Sequence, residues 1–128
     1  MKTGRAFAAA CALAFLGVAL GAFGAHGLKH IVPPELLTVW ETGVRYHLVH
    51  ALALALVALV RDRGDARLYR IAAWLFAGGI VVFSGSLYAL TITGMRIFGA
   101  VTPLGGLAFL AGWACLGAGA WKNAGLSP

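Results

Sequence analysis

Residues 40–60 read WETGVRYHLVHALALALVALV, and the reading of this stretch decides the fold. Its second half is Ala, Leu and Val alone, whereas its first half carries Glu41, Arg45, Tyr46, His47 and His50. The apolar run must end at Val60, because Arg61, Asp62 and Arg63 follow and do not enter lipid. A helix needs ~20 residues to cross the hydrocarbon of a bilayer. Counting back from Val60 therefore starts the span near Glu41 and draws the polar residues inward. At about 1.5 Å per residue, His50 comes to lie near mid-bilayer and Glu41 near a boundary. Ionisable groups at such depths are costly, so each needs a partner, a cavity or a function.

Composition agrees with a membrane chain. Of 128 residues, 61% are hydrophobic and 11% charged, and the mean hydropathy is +0.88. Soluble domains are about half apolar and a quarter charged. The 18 glycines suit close packing of transmembrane helices. The net charge is +6, but Arg61, Arg63, Arg67 and Arg70 sit together in one loop between apolar runs. That cluster reads as a topology signal in contact with anionic lipid heads, and no nucleic-acid-binding module accompanies it. Cys11 and Cys115 both fall inside apolar spans, which argues against a disulfide framework and for buried thiols acting as small hydrophobes.

Working outward gives an all-α fold: a single integral-membrane domain over residues 1–128. It is a transmembrane four-helix bundle with spans at about residues 6–25, 41–60, 71–91 and 103–121. The first run follows Lys2 and Arg5 and is longer than the apolar region of a signal peptide. Along it Ala10, Ala14, Gly17, Gly21 and Gly24 form one small-residue stripe that lets another helix approach closely. Gly27 is expected to cap it. Pro33, Pro34 and Glu35 signal a helix start. A short amphipathic helix is expected there, at the interface between spans 1 and 2, continuing or kinking at Gly43 into the second span. Thr102 and Pro103 read as N-cap and first residue of the fourth helix, which carries a second small stripe of Gly105, Ala108, Gly112, Cys115 and Gly119. With the N-terminus cytoplasmic, Lys2, Arg5, the four loop arginines and Lys122 lie inside, and Lys29, Arg45 and Arg96 outside. The positive-inside rule thus predicts an inner (plasma) membrane protein with both termini cytoplasmic.

Depth also collects the polar side chains. His26, Glu41, Arg45, Tyr46, His47, His50, Ser84, Ser86 and Tyr88 all fall in the outer half, and Thr102 opens the fourth helix from that side. A polar pocket open toward the outer face is expected, closed below by Ala, Gly and Leu. Glu41 and Arg45, four apart, are placed to pair along one helix face. His47 and His50 lie on a different face, where hydrogen bonds to neighbouring helices are their ordinary role. A metal site with His26 or His30 is the sharper alternative, but the only carboxylate near in depth is Glu41. Haem ligation by two histidines lacks a histidine on spans three and four. Ser84 and Ser86 lack an Asp at their depth to form a catalytic triad. No metal and no cofactor are expected.

The segments GAFGAHGL (residues 21–28), TGVRYHLVHALAL (residues 42–54), SGSLY (residues 84–88) and TPLGGLAFLAGW (residues 102–113) together carry a resemblance. They resemble the YgdD/YwdK-type small membrane proteins, a four-helix inner-membrane family of uncharacterised function with relatives in eukaryotic organelles. The resemblance spans nearly the whole chain and implies four spans. It brings no catalytic residue. Its motif residues fall on His26, Tyr46, His50, Ser84, Ser86, Tyr88, Pro103, Gly105 and Gly106.

These readings lead to a non-enzymatic bundle that binds a small ligand, a lipid or a membrane-protein partner through its outer pocket. It would act as a homo-oligomer or as an accessory subunit of a larger complex. The runner-up is a small transporter or permease with a proton step at His50, since imidazole titrates near neutral pH. A membrane enzyme or metalloprotein lacks required parts.

Overall fold

The computed structural model describes residues 3–125, and every regular element among them is helical. Helix α1 spans Thr3–His26, and a 3-10 turn at Leu28–His30 leads to α2, Pro34–Val60. A second 3-10 turn at Arg61–Arg63 precedes α3, Ala66–Gly79. A π turn, Ile80–Ser84, joins α3 to α4, Gly85–Thr93. Finally α5 covers Ile97–Ala124. Helix α3, the π turn and α4 form one continuous third span, so the chain has four helices long and apolar enough to cross a membrane.

The boundaries follow from local chemistry. Pro33 is extended (ψ 155°) and Pro34 opens α2 where a missing N–H costs nothing. Asp65 caps α3, its carboxylate accepting from the Leu68 N–H at 3.0 Å. Gly94 closes α4 in the left-handed conformation (φ 70°), and its N–H donates to the Leu90 carbonyl at 2.7 Å.

One expectation is narrowed and two need correction. Of the two courses expected for the segment from Pro34, the structure shows the continuous one: it runs through Gly43 into the second span as a single helix and is not a separate interfacial one. Pro103 does not begin the fourth helix but lies inside it. Gly94 already supplies the break, so the helix starts at Ile97. Transmembrane helices tolerate such a proline because neighbouring groups satisfy the freed backbone. Cys11 is exposed on the outer face of α1 rather than buried. Lys2, counted in the topology argument, lies outside the described residues.

Helix α2 and the third span are central, with α1 packed on α2 and α5 packed on the third span. The two small-residue stripes are the seams. Gly17 lies against Leu48 and His47, Gly21 against Val44, and Gly24 against Trp40. On the other side Gly105 lies on the Phe83 backbone, Gly112 on the Phe76 ring and Gly119 on the Tyr69 ring. The larger core joins Ala51, Ala53, Val57, Tyr69, Ala72, Phe76, Ile80, Phe109 and Leu116, while Leu28, Trp40 and Val44 make a second, smaller cluster. Outward faces carry Phe15, Leu52, Leu59, Trp74, Leu107 and Leu110, the side chains a bilayer solvates.

Candidate functional site

The rotation of α2 decides where the polar residues go. Trp40, Gly43, Val44, His47, His50, Ala51 and Leu54 are buried on one face. Glu41, Arg45 and Tyr46 lie on the other and are exposed.

His47 donates from Nε2 to the Leu13 carbonyl at 2.8 Å. A carbonyl only accepts, so Nδ1 is the free lone pair and accepts from the Tyr88 hydroxyl at 2.9 Å. His50 has the opposite tautomer. Its Nδ1–H donates to the Tyr46 carbonyl at 2.8 Å, and its Nε2 accepts from the Trp113 indole N–H at 3.0 Å. The His50 ring also stacks on Phe109, with centroids 3.5 Å apart and planes at 7°. Ser84, within the π turn, donates to the Gly43 carbonyl at 2.7 Å. Thr91 donates to the Leu36 carbonyl at 3.2 Å and to Leu87 at 2.9 Å. Ser86 and Thr102 share a hydrogen bond of 2.6 Å between the third span and α5. Trp40 donates from its indole to the Leu20 carbonyl at 2.9 Å.

These bonds have a regular spacing. Trp40 and His47, seven apart on α2, reach the carbonyls of Leu20 and Leu13, seven apart on α1. Ser84 and Thr91, seven apart on the third span, reach the carbonyls of Gly43 and Leu36, seven apart on α2. Two helical turns separate the members of each pair, so each lies on one seam between antiparallel helices.

The expected outer pocket is therefore replaced by a packed, hydrogen-bonded core. His47, His50, Ser84 and Ser86 are buried and Tyr88 is half-buried, all of them satisfied; no buried side-chain polar atom among the described residues lacks a partner. His26 is exposed at the end of α1 and does not join them. Glu41 and Arg45 are both exposed on α2, and no ion pair joins them. Tyr46 borders the cluster, its ring 4.7 Å from Phe83 and 6.3 Å from Phe109. No group of three His, Cys, Asp or Glu side chains among the described residues is placed to hold a metal ion.

A cavity does exist, at the opposite end. It measures about 400 Å³ and lies between α1, α2 and α3, next to the arginine loop. Its walls are Ala6, Ala9 and Leu13 of α1, Leu54, Val57 and Ala58 of α2, and Ala73, Trp74 and Ala77 of α3; Arg61, Asp62 and Arg70 stand at its rim. Sequence reasoning missed it because alanines in an apolar run look like packing, and only their convergence from three helices leaves a void. It also missed Trp113, Trp40 and Thr91, although the seven-residue repeats were visible in principle.

The loop beside this cavity is firmly held. The Asp65 N–H donates to the Gly119 carbonyl at 3.3 Å, and Asn123 donates to the Arg63 carbonyl at 2.8 Å. Lys122 lies 3.6 Å from the Asp65 carboxylate. The Leu68 N–H, and after it Lys122, hold the Asp65 carboxyl below its ordinary range.

Four apolar helices joined by polar seams define a multi-pass all-α membrane protein. The chain belongs to the family described as Protein of unknown function (DUF423), whose model matches residues 20–106. It is 52% identical over 101 residues to UPF0382 membrane protein YwdK of Bacillus subtilis (strain 168), covering 78% of this chain and 82% of that one. A UPF0382 membrane protein of Haemophilus influenzae (strain ATCC 51907 / DSM 11121 / KW20 / Rd) is 45% identical over 111 residues, covering 85% and 87% respectively. UPF0382 membrane protein SH2409 of Staphylococcus haemolyticus (strain JCSC1435) is 44% identical over 101 residues, covering 79% and 82%. No solved structure matches the chain.

Proposed function

We propose that this chain is a non-enzymatic inner-membrane protein that binds a small hydrophobic or amphiphilic ligand in the cavity between α1, α2 and α3. Its arginine loop and both termini face the cytoplasm. The observation that carries this reading is the cavity itself. Its volume of about 400 Å³ falls in the range of small-molecule sites, and its walls are mostly alanine and leucine. The seams described above supply the rigid frame that such a site requires, since α2 contributes both to the polar core and to the cavity wall.

A permease with a proton step at His50 has less support. Both ring nitrogens of His50 are already bonded, and a proton arriving at Nε2 would meet the Trp113 N–H.

The test is ligand retention. Protein purified in mild detergent is extracted with organic solvent and the extract analysed by mass spectrometry. The wild type is expected to carry a hydrophobic small molecule at near-stoichiometric level, and Ala73→Trp, which fills the cavity, to lose it. Equal content in two folded proteins removes the reading.

A further inference from the structure

The cavity has two chemically different ends. Leu54 on α2 and Arg61 in the turn that follows it bound the cavity, with Arg70 and Ala77 on α3, and Ala6 and Leu13 on α1. Each pair is seven residues apart, so every wall runs about 10 Å along its helix at about 1.5 Å per residue. At the loop end Arg61 and Arg70 bring charge while α1 presents Ala6, and toward mid-membrane all three walls are apolar. A ligand that fits must itself be charged at one end and apolar along its length.

The sign of the rim selects the charge. Asp62 is its single acid, and its exposed side chain lies 3.8 Å from Arg61 Nε, a pairing worth little in water. Asp65, the neighbouring acid, is occupied by Lys122 and by the Leu68 N–H. Arg70 is exposed at the mouth, and Arg63 from the 3-10 turn and Arg67 from the first turn of α3 add their charges. Arginine presents a planar fork that matches phosphate oxygens. Trp74, two-thirds exposed, stands on the membrane-facing edge of the groove.

Resting on the cavity reading above, we infer that the occupant is an anionic diacyl phospholipid. Its phosphate sits between Arg61 and Arg70, and one acyl chain lies in the alanine-lined groove. The groove adjoins the hydrocarbon and its rim is at headgroup depth, so a lipid reaches it without leaving the bilayer.

The full chain is purified in mild detergent, and its thermal unfolding is followed with added phosphatidylglycerol or phosphatidylcholine at equal mole ratio. Phosphatidylglycerol is expected to raise the midpoint by several degrees and phosphatidylcholine by clearly less, since a ligand that binds only the folded state stabilises it. The double variant Arg61→Gln, Arg70→Gln is expected to respond equally to both lipids. Ala73→Trp is expected to respond to neither; should it misfold, Ala9→Leu narrows the same groove. If the double variant keeps its preference, or the wild type shows none, the headgroup assignment fails. The cavity reading survives that failure if Ala73→Trp still abolishes the response. If Ala73→Trp responds like the wild type, both readings fail. Inorganic phosphate reproducing the phosphatidylglycerol shift would overturn the lipid assignment in favour of a soluble anion.

Discussion

A helical side chain covers the turn before its own position, so it shields the carbonyl about one turn back. Gly17 and Gly24 leave the carbonyls of Leu13 and Leu20 uncovered, and His47 and Trp40 use the openings. The same glycines bring the two helices together, so one deletion of side-chain volume serves packing and hydrogen bonding at once. Gly24→Ala would place its Cβ 2.7 Å from Trp40 Cδ1, a fully buried indole that has little room to move. We expect a loss of about 1–3 kcal/mol, as for other overpacked sites. Gly105→Ala should be worse, because the new Cβ meets the backbone of Phe83. Gly117→Ala is the control: no atom lies within 4 Å of its added Cβ, so a gain of about 0.5–1 kcal/mol in helix stability is expected. Thermal unfolding of the three variants in one detergent checks the order, and Gly117→Ala as harmful as Gly24→Ala would refute it. Tyrosines 88 and 46 give a second contrast. Tyr88→Phe leaves the His47 Nδ1 lone pair without its donor and should cost about 1–3 kcal/mol. Tyr46 contributes its backbone carbonyl and its ring to the core, so Tyr46→Phe should stay within about 0.5 kcal/mol.

Among the elements, α3 shows how a surface cap links loop and helix. Its N-cap, Asp65, has a carboxyl held low in the folded state, first by the Leu68 N–H and then by Lys122. A depressed carboxyl stabilises the fold above its unfolded value, and that contribution disappears as pH falls through the folded value. The midpoint of unfolding should therefore drop on acidification below the ordinary carboxylate range. Asp65→Asn keeps a capping oxygen without the titrating proton, and should flatten that drop. An unchanged acid limb in the variant would show that another group governs it. Element boundaries were partly legible in the sequence. Pro34, the arginine loop and both glycine stripes announced themselves because each has a local physical signature. The π turn at Ile80–Ser84 did not: IVVFS is an ordinary apolar stretch, and its wide turn is visible only in the fold, where Ser84 bonds to Gly43 and Phe83 meets Gly105. Pro103 misled because a proline beside a threonine usually opens a helix, whereas here Gly94 had already broken the chain.

At the level of the whole molecule, the four spans were legible and the rotation of each helix was not. Hydropathy and the arginine cluster mark where along the chain the spans lie. They do not say which way α2 is turned, and a turn of about 100° per residue separates the buried His47 from the exposed Tyr46 beside it. Hence the polar residues were assigned to one pocket, when the fold divides them between a sealed core and an outer face. The cavity was still less legible, being a property of three helices together. Orientation is directly testable. In a background with Cys11 and Cys115 replaced by Ser, Arg63→Cys should react with a membrane-impermeant maleimide only in inside-out vesicles, and Met95→Cys only in right-side-out ones. The opposite pattern would invert the assigned topology and place the arginine rim in the other leaflet.

The seven-residue stitching of α2 has a mechanical consequence. Trp40 and His47 tie it to α1, and Ser84 and Thr91 tie it to the third span. A screw motion of α2 by one residue would break all four ties together, so the helix acts as a stator. Helix α5 is held in its turn by the Ser86–Thr102 bond, the Trp113–His50 bond and the anchors of Gly119, Lys122 and Asn123 near the arginine loop. A screw motion of either helix past its neighbours would therefore break hydrogen bonds at several levels of the bundle at once.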